Sequence, residues 1–150
     1  MCVIIDTNMA GVVFGPFPIP DAIPVMTWIT DGDGKLAYGG KLAAELLQIK
    51  KFRGWLVEQY RAGNAIRYPD EAINREVIRV RPQCQSDDSH IIALARVSGA
   101  RVLYTNDRQL QNDFTDKNLL RNPRGKVYQR SEHQRLFKSA PRCRAIPKTA

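Results

Sequence analysis

The segment from residue 86 to residue 107 constrains the fold more than any other part of the sequence. Ser86 is a good helix N-cap, and two aspartates follow it where a first helical turn favours negative charge. Apolar residues then recur densely enough to predict a helix buried on more than one side, and Gly99 is a typical helix end. Residues 101–105 form a strand pattern that stops at Asn106-Asp107. A buried helix leading directly into a strand indicates an α/β fold.

The first residues of the chain show a second strand that ends in polar residues. Val3-Ile4-Ile5 is a short apolar run that stops at Asp6-Thr7-Asn8. Between this strand and the later one, apolar residues recur at helical spacing over 42–60 and again from residue 70 onward. Lys126 to Gln129 can add an edge strand. This alternation predicts a three-layer α/β/α sandwich with a central, mainly parallel sheet of about four or five strands.

Both clear strands end in an aspartate, Asp6 in one case and Asp107 in the other. In folds of this class, functional sites lie at the carboxyl ends of the parallel strands. We therefore expect these two carboxylates to share one cleft. Taken singly, each acid has an ordinary explanation, since aspartate is common in turns and at helix N-caps.

Charge divides the chain into two parts. Residues 1–116 carry 13 Lys/Arg and 14 Asp/Glu, whereas residues 117–150 carry 10 Lys/Arg and one acid, Glu132. We accordingly divide the sequence into a domain over 1–120 and a basic C-terminal segment over 121–150 that is partly ordered at best. Such a basic segment indicates a polyanionic partner, nucleic acid first, and the alternative is a solvated tail.

Cysteine and hydropathy patterns bear on the metal class and the compartment. The three cysteines are widely spaced and form no C-x-x-C pair, and there are only two histidines, so a zinc site is not expected. No apolar run approaches the roughly 18 residues of a membrane helix, and Asp6 interrupts the first apolar run, unlike a signal peptide. We expect a cytoplasmic protein without a membrane partner.

Three motifs in order carry a resemblance to a known family. Asp6-Thr7-Asn8 follows the first strand, Asp88 begins the pattern D-x-x-I-x-A-x-A over residues 88–95, and Thr105-Asn106-Asp107 follows the next strand. Together, over roughly residues 2–115, they resemble the PIN-domain family, which includes the VapC-type toxins of toxin–antitoxin pairs. The resemblance implies a PIN-like sandwich and a metal-dependent endoribonuclease.

The resemblance also implies a set of site residues and partners. Asp6, Asp88 and Asp107 match three of the family's four acids, and Glu45, on the helix some forty residues after the first acid, is the match for the remaining one. Their implied ligands are one or two Mg²⁺ or Mn²⁺ ions. The residues expected to orient or supplement these carboxylates are Asn8, Thr105, Asp87 and Asp113. RNA, an antitoxin protein and a second copy of the chain are the implied partners.

The chemistry of such a cluster follows from the residue types alone. Several neighbouring carboxylates repel one another, and without a cation some of them stay protonated. An all-oxygen set selects a hard divalent ion such as Mg²⁺ or Mn²⁺. Such an ion can lower the pKa of a bound water and stabilise the leaving oxygen in phosphodiester hydrolysis. His90 is not needed for this chemistry, and we expect it to be packed rather than to be a ligand.

Two other functions remain open. The first is a non-catalytic RNA-binding or scaffolding protein with the same fold. The second is a haloacid-dehalogenase-type phosphatase, because Asp31-Gly32-Asp33-Gly34-Lys35-Leu36 resembles the D-x-D-G-x-L motif of that family, in which the first aspartate is phosphorylated. That motif needs a preceding strand over residues 25–29, and the alternative structure here is a tight turn ahead of a short strand.

Overall fold

The structure, a computed structural model, describes residues 1–16 and 19–147. It contains five strands and seven α-helices, with three 3₁₀ segments at Pro20–Ala22, Arg81–Gln83 and Ser131–Ser139. The strands are β1 Cys2–Ile5, β2 Lys35–Gly39, β3 Ala65–Tyr68, β4 Val102–Tyr104 and β5 Lys126–Tyr128. The helices are α1 Thr7–Ala10, α2 Ile23–Thr30, α3 Gly40–Leu46, α4 Lys50–Arg61, α5 Asp70–Val80, α6 Ser89–Ser98 and α7 Arg108–Phe114.

The five strands form one all-parallel sheet in the order β3-β2-β1-β4-β5. Helices flank the sheet, so the predicted α/β/α sandwich is confirmed. Strand β1 is completely buried at the centre, and it pairs with β2 on one side and with β4 on the other. The chain moves outward from β1 to β3 and then returns to β4 across β1. The sheet therefore has its topological switch point between β1 and β4.

Helix α6 is buried on nearly every side, as its sequence predicts, but it begins later than predicted. Its N-cap is Asp88 rather than Ser86, and the Ser86 hydroxyl instead accepts a hydrogen bond from the amide of Asp88 at 3.2 Å. Gly99 ends the helix with a φ of 80°, a left-handed conformation that glycine adopts without strain. Ser86 thus shapes the turn that leads into α6.

The region from residue 40 to residue 61 forms two helices instead of the single continuous pattern predicted. Helix α3 ends at Leu46 and α4 begins at Lys50. Gly39 allows the close passage that precedes α3, because an added Cβ there would lie 2.6 Å from the carbonyl oxygen of Tyr68. The break leaves Glu45 in the last turn of a short helix whose apolar residues, Leu42, Ala43 and Leu46, are buried.

The basic C-terminal segment is integrated into the fold as far as residue 147. It supplies β5, which pairs with β4, so the boundary expected at residue 120 does not separate it from the sheet. Farther on, the amide of Cys2 donates to the carbonyl of Pro141 at 2.8 Å, and Cys2 and Cys143 form a disulfide. The expected cytoplasmic location did not predict this bond. The last three residues of the segment lie outside the described residues.

Within the described residues, no helix is both long and apolar enough to cross a membrane.

Candidate active site

The candidate acids lie where the fold class favours a site, at the carboxyl edge of the sheet beside the switch point. Asp6 directly follows β1, and Asp107 lies three residues beyond the end of β4. The amide of Asp6 donates to the carbonyl of Tyr104 at 3.0 Å, which joins the ends of the two central strands. This hydrogen bond attaches Asp6 to the central strands of the sheet.

Asp6 is fixed by hydrogen bonds to both of its carboxylate oxygens. Oδ1 accepts from the amide of Thr7 at 2.7 Å, and Oδ2 accepts from the hydroxyl of Thr105 at 2.8 Å. The Thr105 hydroxyl in turn accepts from the Asn8 side-chain amide at 3.3 Å and from the Asp107 backbone amide at 3.1 Å. Thr105 is buried, so this single hydroxyl positions both strand-end aspartates.

Asp6 carries the clearest electrostatic perturbation among the acids. Burial raises the pKa of its carboxyl above the ordinary value, and the neighbouring carboxylates of Asp88 and Asp107 raise it further, against the lowering effect of the Thr105 and Thr7 hydrogen bonds. Only 6% of Asp6 is exposed. The structure therefore brings Asp6, Asp88 and Asp107 close enough for their charges to interact.

Asp88 and Asp107 both occupy helix N-cap positions but use their side chains differently. Oδ1 of Asp107 accepts from the amide of Leu110 at 3.1 Å, which is an ordinary helix cap. The side chain of Asp88 makes no cap hydrogen bond to α6. Asp88 therefore offers a half-buried carboxylate whose oxygens are not used in capping its own helix.

Glu45 approaches the cluster from α3 through two contacts. The hydroxyl of Thr7 donates to its Oε1 at 3.2 Å, and Nε2 of His90 lies 3.6 Å from the same oxygen. Thr7 neighbours Asp6, and His90 is two residues beyond Asp88 on α6. Glu45 thus lies beside residues that neighbour Asp6 and Asp88 along the chain, and its side chain is 38% exposed.

His90 is the unexpected member of this region. Its side chain is 8% exposed, and Nε2 is a buried nitrogen without a hydrogen-bond partner among the described residues. Burial lowers the pKa of the imidazole, opposed by the nearby carboxylates of Asp88 and Glu45. Buried polar atoms are nearly always satisfied, and the group that faces this nitrogen is the Glu45 carboxylate, 3.6 Å away.

The remaining predicted residues have different positions. Asn8 and Asp87 are both exposed. Asn8 contacts Thr105, and Asp87 lies on the turn before α6. Asp113 is buried outside the cluster, and its carboxylate accepts the amides of Gln85 and Ser86 at 2.9 Å each. Its oxygens therefore hold the loop that leads to Asp88, which is an indirect contribution to the site.

The four acids have the donor chemistry expected of a divalent-cation site, but their side chains are not arranged as one. Across residues 1–16 and 19–147, no three His, Cys, Asp or Glu side chains already converge as metal ligands would. A bound ion would need at least one side chain to turn inward, and the exposure of Glu45 leaves room for that. Carboxylate oxygens are the donors that Mg²⁺ and Mn²⁺ prefer, so the residue types are compatible with such an ion.

The phosphatase alternative loses its structural requirement. Residues 25–29, which would have to be a strand, lie within the helix α2. Asp31 follows that helix, and Gly34 leads into the amino end of β2. The D-x-D-G-x-L resemblance is therefore at the opposite edge of the sheet from Asp6 and Asp107.

Much of the basic C-terminal segment also lies at that opposite edge. Lys138 and Arg142, together with Lys35, line an open cavity of about 780 Å³ beside the disulfide. Arg144 packs across the end of α6, where its amide donates to the carbonyl of Ser98 at 2.7 Å. These cations do not surround the candidate acids. Within the described part of the chain, Lys41 is the one basic side chain whose charge affects the pKa of His90.

Two contacts of the site were not predicted from the sequence. Thr7 bridges toward Glu45, and His90 faces the same carboxylate. Thr7 lies inside the Asp-Thr-Asn motif, and that motif was the sequence feature that could have indicated its role in the site. No comparable signal marked His90, because a histidine in a buried helix is usually a packing residue.

No protein-family model matches this sequence, and comparisons with curated proteins and with solved structures found no significant match either.

Proposed function

We propose that this protein is a metal-dependent nuclease that hydrolyses phosphodiester bonds, with Asp6, Glu45, Asp88 and Asp107 as the acids that hold Mg²⁺ or Mn²⁺. The observation that carries the proposal is the environment of Asp6. It is a carboxylate at the switch point whose pKa is raised by burial first and further by the charges of Asp88 and Asp107. An arrangement of this kind is costly for the protein unless a cation offsets the repulsion.

The chemistry divides between the cation and the chain. A divalent ion held by carboxylates lowers the pKa of a bound water and stabilises the charge that develops on the phosphate. Asp6 is the fixed element of the site, because Thr105 and Thr7 hold its two oxygens in place. Glu45 is the adjustable element, since it projects from a short helix and is more than one third exposed.

The choice of RNA as substrate rests on the resemblance to PIN-domain nucleases and on the basic character of the chain. The net charge of +8 favours association with a polyanion, and the charge of Lys41 acts on His90 beside Glu45. A role as the toxin of a toxin–antitoxin pair, with an antitoxin partner and a homodimer, is proposed on the resemblance alone.

The test is cleavage of a mixed-sequence single-stranded RNA by the purified protein in Mn²⁺ and in EDTA. We expect cleavage only with metal, and we expect Asp6→Asn, Asp88→Asn and Asp107→Asn each to abolish it while circular dichroism shows an unchanged fold. Full activity in all three variants would overturn the proposal.

Asp31→Asn is the matched control, because it removes an aspartate at the opposite edge of the sheet. It should leave RNA cleavage unchanged, whereas a phosphatase that uses Asp31 would lose hydrolysis of a chromogenic phosphate ester. Metal-dependent binding of RNA without any cleavage would instead support the non-catalytic RNA-binding alternative.

A further inference from the structure

A cluster of arginines lies at the C-terminal end of α6, whereas Asp88 lies at the start of that helix. The arginines surround an open cleft of about 330 Å³, which is lined by Arg96, Arg101, Arg121, Arg144 and one acid, Glu76. Four guanidinium charges against one carboxylate give the cleft a net charge of +3. The ten residues of α6, at about 1.5 Å each, separate the cleft from Asp88 by roughly 15 Å. The cleft is therefore distinct from the candidate active site.

Backbone carbonyls hold three of the guanidinium groups in place. Arg101, which is 6% exposed, donates to three carbonyls at 2.8–2.9 Å. Arg96 and Arg144 each donate to one carbonyl at 2.8 Å. Two of these acceptors, the carbonyls of Ala95 and Arg96, belong to the last turn of α6, where the helix would otherwise repel an anion. The guanidinium groups are thus positioned before any ligand binds, and they cover the carbonyls that would oppose it.

The cluster has few counter-charges. Glu76 is the one acid that lines the cleft, and it is shared between Arg96 at 3.4 Å and Arg79, outside the cleft, at 2.8 Å. The other arginines of the cleft form no ion pair within residues 1–16 and 19–147. Burial, followed by the charges of Arg144 and Arg96, lowers the pKa of Arg101 to about 10. An anion between these groups would offset their mutual repulsion.

Arginines at a helix end can simply cap its carbonyls, and that explains only part of this cluster. A guanidinium has five N–H groups, and Arg101 uses only those on Nε and Nη1. Its Nη2 has no hydrogen-bond partner among the described residues and is not fully buried, so it remains open to a ligand. The side chain of Arg121 makes no hydrogen bond in the same part of the chain and does not cap α6. Charge and donors are therefore left over after capping.

We propose that this cleft is a binding site for a phosphate group, with Arg101, Arg121 and Arg144 as its donors. The planar fork of arginine matches pairs of phosphate oxygens, and charge-assisted hydrogen bonds of this kind are strong and specific. The phosphate belongs either to a nucleic-acid backbone or to a small phosphorylated molecule, since the recognition chemistry is the same. The inference does not rest on the proposed nuclease activity, because none of these residues belongs to the acid cluster.

The experiment is calorimetric titration of the purified, metal-free protein with inorganic phosphate at constant ionic strength. We expect one phosphate to bind the wild type and Arg53→Ala, the matched control, which removes an exposed arginine of α4 outside the cleft. Arg121→Ala and Arg144→Ala should each weaken binding about tenfold, because each removes a charged donor. Glu76→Gln should tighten binding, since it removes the one carboxylate of the cleft.

The opposite shifts expected for Glu76→Gln and Arg121→Ala separate phosphate binding from damage to the fold, which would weaken binding in both. Competition with a short single-stranded RNA in EDTA identifies the source of the phosphate. RNA that displaces phosphate assigns the site to a nucleic-acid backbone, and RNA that leaves phosphate bound assigns it to a small phosphorylated molecule. A wild type that does not bind phosphate would overturn the inference, as would unchanged affinity in both Arg121→Ala and Arg144→Ala.

Discussion

Thr105 is the residue whose replacement tests the architecture of the site most directly. Its buried hydroxyl donates to Asp6 at 2.8 Å and accepts from Asp107 at 3.1 Å and from Asn8 at 3.3 Å. Thr105→Val keeps nearly the same shape but removes all three hydrogen bonds. We expect the variant to fold, because valine suits the end of a strand, and to be less stable than the wild type.

The size of the loss follows from these three bonds. A hydrogen bond to a charged group contributes about 1.5–3 kcal/mol and a neutral one about 1 kcal/mol. The Asn8 bond is long, at 3.3 Å, and comes from an exposed residue, so it contributes little and we expect a total loss of about 3 kcal/mol in the free energy of unfolding. For a chain of 150 residues, this corresponds to a melting temperature lower by about 6–12 °C. Urea unfolding at pH 7 without metal measures it.

The loss should also depend on pH. The Thr105 hydrogen bond lowers the pKa of Asp6, opposing the effect of burial, because it stabilises the ionised carboxylate. In Thr105→Val the folded-state pKa of Asp6 therefore rises further. Between the two folded pKa values the variant binds more protons when folded than the wild type does. Its stability deficit consequently grows as pH rises through that window and shrinks below it.

Thr105→Ser is the control, since it keeps the hydroxyl and loses only a methyl group. We expect it to cost about 1 kcal/mol and to show no added pH dependence. Equal stability of the Val and Ser variants across pH would refute the reasoning, because it would mean that the hydroxyl does not support Asp6.

Three further predictions follow from individual contacts. The folded state raises the pKa of the Asp6 carboxyl above its ordinary 3.8, so the stability that protonated Asp6 contributes at low pH is lost as pH rises through the folded-state pKa. In metal-free urea unfolding, the free energy of unfolding of Asp6→Asn should therefore increase relative to that of the wild type as pH rises. Asp113→Ala, which frees two loop amides, should cost about 3 kcal/mol, and Asp113→Asn less, in the same assay. Reducing the Cys2–Cys143 disulfide, which spans 141 residues, should lower the free energy of unfolding by about 5 kcal/mol, whereas Cys84→Ser should leave the effect of reductant unchanged.

The sequence was sufficient to predict the fold class because its central elements are unambiguous. An apolar run such as Val3 to Ile5 and a helix as apolar as α6 have few alternatives, and the parallel sheet follows from their alternation. Element ends were less predictable. Ser86 and Asp88 both suit an N-cap, and only the tertiary contact that holds the loop through Asp113 decides between them.

The site could be predicted only as a set of residues, not as a geometry. The sequence pattern predicts where the two strands end, so it also predicted that Asp6 and Asp107 lie at strand ends. The sequence did not predict that Glu45 lies near the other acids, since its position depends on where α3 ends and on the Thr7 contact. The Cys2–Cys143 bond was equally hidden, because no local pattern brings the two ends of a chain together.

The parallel sheet also has a consequence for synthesis of the chain. None of its four strand pairs can form as a local hairpin, and β1 meets β4 only after about one hundred residues of intervening chain. The Asp6–Thr105 contact spans 99 residues. A ribosome-bound fragment that ends before residue 105 lacks both the last acid, Asp107, and the Thr105 hydroxyl that orients Asp6. The proposed activity is therefore withheld until nearly the whole domain has emerged and folded.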